Sequence, residues 1–256
     1  MVTTNMRPIR ETIGLDEALA LIKEATKPLD RSERVALSEA GGRVASRDVV
    51  SEQDVPPFDR AAMDGFAVVA EDTFGTTRYQ PKALKCVETV FTGQVPNRGV
   101  GRGECSQIAT GAPMPQGADA VVMVEETDRD IDNQVRIFTP VYPRQNVGGR
   151  GADIVPGQTL VRRDDFLSAG RIGALAAIGV SEIEVYAKPS LALLSTGDEI
   201  IPPGQSLGPG QIYDINRFTL ETIVRNHGGL AIGKPTAADT VEAVSYTHLR
   251  AHETDS

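Results

Sequence analysis

The stretch from residue 51 to residue 157 constrains the fold of this chain more than any other feature. Short apolar runs are separated throughout it by Gly, Pro and Asn. The runs are GFAVVA, ALKCVETV, SQIAT, AVVMVEET and VRIFTPV. This pattern is typical of short strands joined by tight turns. It predicts a β-rich module between segments of different character, so the 256 residues form several small domains and not one core.

The segment before this stretch carries helical patterns. In GLDEALALIKEA the apolar residues Leu15, Leu19 and Ile22 share one helical face, which predicts a packing helix. A second short helical pattern is predicted in LSEAGGRVASRDV, residues 37–49. The proline pair at 56–57 then requires extended backbone. A domain boundary is therefore predicted near residue 50.

The segment after the β-like stretch returns to helical and mixed patterns. LSAGRIGALAAIGV predicts a helix that follows the N-cap Ser168 and ends at Gly179. PSLALLSTGDE is predicted to be a buried strand that ends in a Ser-Thr-Gly turn, and a further helix begins at Asn216 before the strand-like LAIG. The order strand, helix, strand predicts a parallel β-α-β unit. The predicted fold class is multidomain α+β.

The composition excludes several classes of protein. A net charge of −9 disfavours nucleic acid and anionic membrane surfaces as partners. The longest apolar run, IGALAAIGV, is far shorter than the roughly 20 residues of a membrane helix. No secretory segment opens the chain, and two cysteines are too few for a disulfide framework. These features predict a cytoplasmic protein with a small-molecule partner, and no nucleic acid or membrane partner.

Histidine is scarce in the body of the chain. Residues 245–256, SYTHLRAHETDS, carry two of the three histidines and are interpreted as a non-native tail, with a native polar tail as the alternative. His227 then remains, at the predicted end of a helix, where a cation favours the helix dipole. This distribution leaves almost nothing from which a Ser-His-Asp triad or a histidine-rich zinc site could be built.

Four polar motifs carry the candidate chemistry. One of them, IATGAPMPQGADAVVMVEE at residues 108–126, offers the Thr110 hydroxyl, with an ordinary structural turn as the favoured alternative. DVPPFDRAAMDGFAV places Asp54, Asp59 and Asp64 at even five-residue spacing. LLSTGDE, residues 193–199, ends a predicted strand where anions are favoured, and its acids can hold a divalent cation. NVGGRGADI, residues 146–154, sets glycines around an arginine and can cradle a phosphate. A solvated turn for LLSTGDE and a flexible linker for NVGGRGADI are the structural alternatives.

Taken together, the motifs resemble one family, the molybdopterin molybdenumtransferases. The segments DVPPFDRAAMDGFAV, TGAPMPQGADAVVMVEE, GRGADI and STGDEIIPPGQSLGPGQIYDINRF occur in the order of that family, and the resemblance covers about residues 10–240. It implies the amino-terminal part of an enzyme that inserts molybdate into adenylylated molybdopterin and releases AMP with a divalent cation, usually Mg²⁺. It also implies a homodimer whose cleft lies between the β-rich domain of one subunit and the α/β domain of the other.

The resemblance divides the chain into five parts. It implies a helical elongated linker domain with an inserted β-rich domain, followed by the truncated start of an α/β pterin-binding domain. The parts are the helical amino-terminal part of the linker domain at 1–50, the inserted β-rich domain at 51–157, the return of the linker domain at 158–186, the truncated α/β molybdopterin-binding domain at 187–244 and the non-native tail at 245–256. The parent protein is expected to be an enzyme and this fragment of it to be inactive.

The functional residues of the family are carried over motif by motif. The resemblance implies that Asp64 and Glu199 are functional residues, and both are predicted to be catalytic. On chemical grounds Glu199 is assigned as the metal ligand and Asp64 as an orienting group or a proton acceptor. The residues expected to bind the cofactor are Thr110, Arg150, Asp153, Ser195, Thr196, Gly197 and Asp198. Asp54 and Asp59 are interpreted as turn or capping residues that position Asp64. A further acid of the family falls near Asp239.

Two other functions are compatible with the motifs. One is a pterin-binding or scaffold module that has the fold without turnover. The other is a Mg²⁺-dependent phosphatase with Asp59 or Asp64 as nucleophile. A nucleophilic aspartate of that kind directly follows a buried apolar strand, and DVPPF is not such a strand. The sequence therefore favours the phosphatase least.

Overall fold

The computed structural model describes residues 12–130 and 132–233. Its α-helices are α1 (Leu15–Ala25), α2 (Ala169–Ala177) and α3 (Asn216–Asn226). Its strands are β1 (Ser32–Ala36), β2 (Val49–Val50), β3 (Arg60–Ala61), β4 (Gly65–Val68), β5 (Lys82–Val90), β6 (Glu104–Ile108), β7 (Ala120–Met123), β8 (Thr127–Arg129), β9 (Gln134–Ile137), β10 (Val147–Gly148), β11 (Thr159–Val161), β12 (Glu182–Tyr186), β13 (Ser190–Leu193), β14 (Ile200–Ile201), β15 (Ile212–Tyr213) and β16 (Leu230–Gly233). The predictions for Asp239 and for the tail at 245–256 lie outside the described residues.

The chain divides into two compact units. One runs from Arg47 to Ser181, and the other combines the residues up to Ser46 with those from Glu182 onward. The first unit includes α2 together with the β-rich segment. The five-part division at 50, 157, 186 and 244 stays a prediction.

The unit from Arg47 to Ser181 is built on a six-stranded mixed sheet. Its strand order is β7-β4-β6-β5-β9-β8, and its pairs are antiparallel except for the parallel pair β5 and β6. The β-like runs of the sequence form β4, β5, β6, β7 and β9, so the strands predicted from them are confirmed. Successive side chains of these strands point to opposite faces of the sheet and form two buried clusters. One contains Val68 and Val122, and the other contains Ala67 and Val121.

The second unit contains the predicted β-α-β unit. Strand β13 pairs in parallel with β16, and α3 lies between them in the chain. A further parallel pair joins β14 to β15, and β1 pairs antiparallel with β12. His227 is the C-cap residue of α3, as predicted, and its Nδ1 lies 2.8 Å from the carbonyl oxygen of Ile223. No helix among residues 12–130 and 132–233 is both long and apolar enough to cross a membrane.

The helix predicted at residues 37–49 is wrong. Only Leu37–Glu39 forms a single 3₁₀ turn, and the chain then bends at Gly41 and Gly42. Gly42 has a φ of +78°, a left-handed conformation that ends helical propagation. Ala45 instead forms a β-bridge with Val185. The described part of the segment at 1–50 therefore contains one α-helix, one 3₁₀ turn and the two strands β1 and β2, and is not helical throughout.

Limited proteolysis of the chain is expected to leave a resistant fragment of roughly residues 45–185. The unit from Arg47 to Ser181 holds both buried clusters of its sheet, whereas α1 and α3 have no buried residue. Mass spectrometry of a trypsin time course measures the fragment. Cleavage inside the six-stranded sheet as fast as cleavage near α1 and α3 would contradict this expectation.

Candidate functional site

Asp64 is fixed at the start of β4 by contacts on both its backbone and its carboxylate. Its carbonyl oxygen accepts the N–H of Val124 at 3.0 Å. Its Oδ1 accepts the backbone N–H of Thr110 at 2.6 Å and the Thr110 hydroxyl at 2.8 Å. Both hydrogen bonds from Thr110 hold the pKa of Asp64 below its usual range, and the backbone N–H makes the larger contribution. Asp64 is exposed, so it presents an ionised carboxylate at neutral pH.

The glycine of the Met-Asp-Gly element has a steric cause. Gly65 pairs with Ile108 on β6 and with Met123 on β7, so neighbouring strands flank it on both sides. A Cβ atom at this position would overlap the backbone carbonyl of Val122. The close approach of β4 to β7 therefore requires glycine directly after Asp64.

A cavity lies beside Asp64. Its volume is about 350 Å³, and its lining includes Asp64, Thr89, Phe91, Gln107 and Val124. Polar groups at the ends of β5 and β6 thus face the same space as the Asp64 carboxylate. This combination of apolar wall and few polar groups is typical of a small-molecule site.

The loop of residues 144–151, the arginine loop, is bound to Asp59. Arg144 donates from both guanidinium Nη atoms to the Asp59 carboxylate, and the backbone N–H of Arg150 donates to Asp59 Oδ1 at 2.8 Å. The hydrogen bonds from the Arg144 side chain lower the pKa of Asp59 most, and the backbone N–H of Arg150 lowers it further. Asp59 in turn raises the pKa of Arg144. The ion pair is forked, the geometry that gives arginine–carboxylate pairs their specificity.

Asp54 holds the other end of the arginine loop. The Nε of Arg150 donates to Asp54 Oδ2 at 2.5 Å, and the Asp54 side chain is only 15% exposed. A Cβ on Gly149 would lie 2.9 Å from Arg144 Nη2, and one on Gly151 would lie 2.6 Å from Asp54 Oδ1. The glycines therefore allow the loop to pack closely on the acids. This loop is anchored, which argues against the flexible-linker interpretation.

The structure corrects the interpretation of Asp54 and Asp59. Both were expected to position Asp64, but the described hydrogen bonds of their carboxylates are with Arg150 and Arg144. Sequence reasoning missed Arg144, which lies outside the motif NVGGRGADI and has a φ of +71°. The signal that could have found Arg144 is its position shortly before a glycine-rich loop. The acid that binds it lies far away in the sequence.

The predicted cofactor residues of this unit are placed differently from one another. Thr110 contacts Asp64 directly, and Arg150 contacts Asp54 and Asp59. The Asp153 carboxylate lies 3.9 Å from an Arg60 Nη atom, with both side chains about half exposed or more. Exposed pairs at that distance contribute little to stability. Because its side chain is exposed and this ion pair is weak, Asp153 is accessible to a ligand.

The remaining predicted residues lie in the second unit, at the turn that follows β13. Gly197 has a φ of +136°, which favours glycine, and a Cβ there would lie 2.6 Å from Glu199 Oε2. The carbonyl oxygen of Gly197 accepts the N–H of Ile200 at 3.2 Å. The turn thus brings the Glu199 carboxylate back against its own backbone. Asp198, the residue between them, also has a partner.

A second cavity, of about 250 Å³, belongs to this turn. Its lining includes Ser195, Thr196, Asp214, Asn216 and Arg217. Asp214 is buried, and its carboxylate accepts the backbone N–H of Arg217 at 3.0 Å, in the first turn of α3. Sequence reasoning missed Asp214, although an acid two residues before a predicted helix start is a recognisable cap. The two predicted hydroxyls therefore share a cavity with a capped helix N-terminus.

The described residues at this turn offer few ligands for a metal ion. Within the described ranges, no three His, Cys, Asp or Glu side chains come together as a metal cluster. Mg²⁺ is commonly held by one or two carboxylates together with substrate phosphates, and not by a cage of protein ligands. Glu199 is exposed in the same turn as Ser195 and Thr196, which line the second cavity, and a single exposed carboxylate is compatible with that arrangement.

Comparison with known proteins identifies the family. Residues 13–179 match the family described as "MoeA N-terminal region (domain I and II)". The chain belongs to this family. It is 35% identical over 236 residues to molybdopterin molybdenumtransferase 2 of Mycobacterium tuberculosis, covering 92% of this chain and 56% of that protein. It is also 35% identical to the molybdopterin molybdenumtransferase of a Nostoc species, covering 91% of this chain and 54% of that protein.

A solved structure shows the same fold. The molybdopterin biosynthesis MoeA protein from Pyrococcus horikoshii superposes with a TM-score of 0.80 at 38% identity, over 95% of this chain and 62% of that one. The predicted multidomain, MoeA-like fold is confirmed, with mostly β content and few helices. The chain spans about half the length of the curated relatives it matches.

Proposed function

We propose that this chain is the amino-terminal region of a molybdopterin molybdenumtransferase. In this proposal the complete protein inserts molybdate into adenylylated molybdopterin and releases AMP, as a cytoplasmic homodimer. Membership of the MoeA family and the names of the relatives support it. The single structural observation that carries it is the exposed Asp64 carboxylate, held by Thr110 at the edge of a cavity.

Asp64 acts by orientation in this proposal. Its lowered pKa makes the carboxylate a weak base, which disfavours the alternative role of proton acceptor. Both Thr110 bonds end on Oδ1, so neither engages Oδ2. A fixed carboxylate with one oxygen bound in this way can orient a donor group of the pterin substrate.

The turn at residues 195–199 binds the phosphate end of the substrate in this proposal. The hydroxyls of Ser195 and Thr196 donate to phosphate oxygens, Gly197 allows close backbone approach, and Glu199 holds Mg²⁺. The metal supplies neutralisation of phosphate charge. The complete cleft forms between the β-rich domain of one subunit and the α/β domain of the other.

The experiment that tests the proposal uses the full-length parent protein. Purified protein is loaded with adenylylated molybdopterin, and AMP release is measured after molybdate is added with Mg²⁺. The proposal expects AMP release. Retention of the adenylylated pterin without release would favour the binding or scaffold module. A trapped acyl-phosphate on Asp59 or Asp64 would favour the phosphatase, although the Arg144 and Arg150 bonds already occupy Asp59.

Replacing Glu199 by Gln in the parent protein is expected to raise the Mg²⁺ concentration for half-maximal AMP release by about 10-fold. The amide keeps the shape of the side chain but loses the charge that attracts the cation. Glu39→Gln is the matched control, because Glu39 is an exposed acid on the 3₁₀ turn of the same unit. An unchanged Mg²⁺ dependence for Glu199→Gln would place the metal elsewhere.

A further inference from the structure

The two cysteines of the chain are partners on neighbouring strands. Cys86 on β5 and Cys105 on β6 face each other in the parallel register, and both belong to the same buried cluster. Neighbouring strands lie about 4.8 Å apart, and disulfides span Cα separations of about 4.4–6.8 Å. The sheet therefore already holds the two residues at a separation that a disulfide can span.

The two thiols have different environments. The hydrogen bond with the Cys105 thiol lowers the pKa of Cys86 to about 6, aided by the backbone N–H of Gln107 and the charge of Arg129. The same thiol bond and burial raise the pKa of Cys105. Cys86 is 7% exposed and Cys105 is fully buried. Cys86 is thus the sulfur that a small oxidant reaches first, reacting through its thiolate form, and Cys105 is the thiol behind it.

We propose that Cys86 and Cys105 are an oxidation site, at which hydrogen peroxide converts the pair into a reversible intrachain disulfide. The Cys86 thiolate attacks one peroxide oxygen, the O–O bond breaks, and the leaving hydroxide takes up a proton to become water. Cys86 is then a sulfenic acid. The Cys105 sulfur attacks the Cys86 sulfur, the S–O bond breaks, and the departing hydroxide leaves as water with the Cys105 proton. Two thiols and one peroxide thus give one disulfide and two waters.

The strands around the pair can accommodate the bond. The register of β5 against β6 shifts between Cys86 and Glu88, so the sheet is irregular directly beside the pair. The same two strands continue to Thr89 and Gln107, which line the cavity beside Asp64. The disulfide would covalently link the two strands that form this wall. Disulfides in cytosolic proteins are commonly transient ones of this redox-responsive kind.

The test treats the full 256-residue chain with hydrogen peroxide and then counts thiols after denaturation. Because the chain has only two cysteines, both thiols are expected to disappear together. The mass of the monomer should fall by about 2 Da, and dithiothreitol should restore both thiols. Tryptic digestion should give one linked pair of fragments containing Cys86 and Cys105. Two free thiols after a treatment that oxidises glutathione, or a disulfide between chains, would overturn the proposal.

Two single variants separate the roles of the thiols. In Cys105→Ser, peroxide should convert Cys86 to a sulfenic acid that dimedone traps. In Cys86→Ser, the Cys105 thiol should react at least about 10-fold more slowly, because it is buried and protonated. Equal rates in the two variants would overturn the assignment. The linked tryptic fragments of the unmodified chain keep the proposal testable if either variant fails to fold.

Discussion

Replacing Asp64 by Asn in the full-length protein is expected to lower the rate of molybdenum insertion by about 100-fold, because a misoriented substrate costs about that factor. The amide keeps the size of the side chain and still accepts from Thr110, but it loses the negative charge. The melting temperature should shift by less than about 2 °C, since Asp64 is exposed and belongs to neither buried cluster. Single-turnover AMP release with saturating substrate measures the effect.

Two further variants locate the cause of that loss. Asp132→Asn changes an exposed acid in the β8–β9 turn of the same unit and should leave the rate unchanged. Thr110→Val removes the hydroxyl donor but keeps the backbone N–H, so it should cost less, about 10-fold, and raise the pKa of Asp64. NMR titration of the Asp64 carboxylate measures that pKa. Full turnover by the Asp64→Asn protein would contradict the role of Asp64 in orienting the substrate.

The strands of this protein could be predicted because their signals are local. Runs such as ALKCVETV and AVVMVEET contain their own β-branched residues and are bounded by their own turn residues, and they form β5 and β7. Helix α2 was predicted for the same reason, because its N-cap Ser168 accepts the N–H of Arg171 within one turn. The helix predicted at 37–49 failed because the glycine pair within it outweighed the apolar pattern.

The parts of the site that could not be predicted depend on contacts between distant segments. Asp59 and Arg144 are 85 positions apart, and Asp54 and Arg150 are 96 apart. Nothing near an aspartate in the sequence indicates which arginine the sheet will bring to it. The even spacing of the three acids therefore suggested one shared task. The structure divides them between two tasks, anchoring the arginine loop and presenting a carboxylate beside a cavity.

The Met-Asp-Gly element combines a local signal with a distant cause. The motif was enough to identify Asp64 from the sequence. The reason for Gly65, in contrast, is the close approach of Val122 on β7, more than 50 residues away. A substitution at Gly65 therefore tests whether the packing of the sheet positions the Asp64 carboxylate. A substitution there changes no functional group and acts only through packing.

Replacing Gly65 by Ala is expected to lower the free energy of unfolding of the unit from Arg47 to Ser181 by about 3 kcal/mol. The added Cβ would overlap the Val122 carbonyl, which is backbone and cannot rotate away, so β4 and β7 must separate. The Thr110 bonds to Asp64 should be disturbed as well, since Asp64 precedes Gly65 directly. Urea denaturation followed by far-ultraviolet circular dichroism measures the loss.

Gly173→Ala is the matched control for this substitution, because it adds the same methyl group within the same unit. Gly173 lies inside α2, and a Cβ there meets no atom within 4 Å. The control should stabilise the protein by about 0.5–1 kcal/mol, since alanine favours a helix interior over glycine. If both substitutions changed stability by the same small amount, β4 and β7 would have room for a side chain, and the steric explanation of the Met-Asp-Gly element would fail.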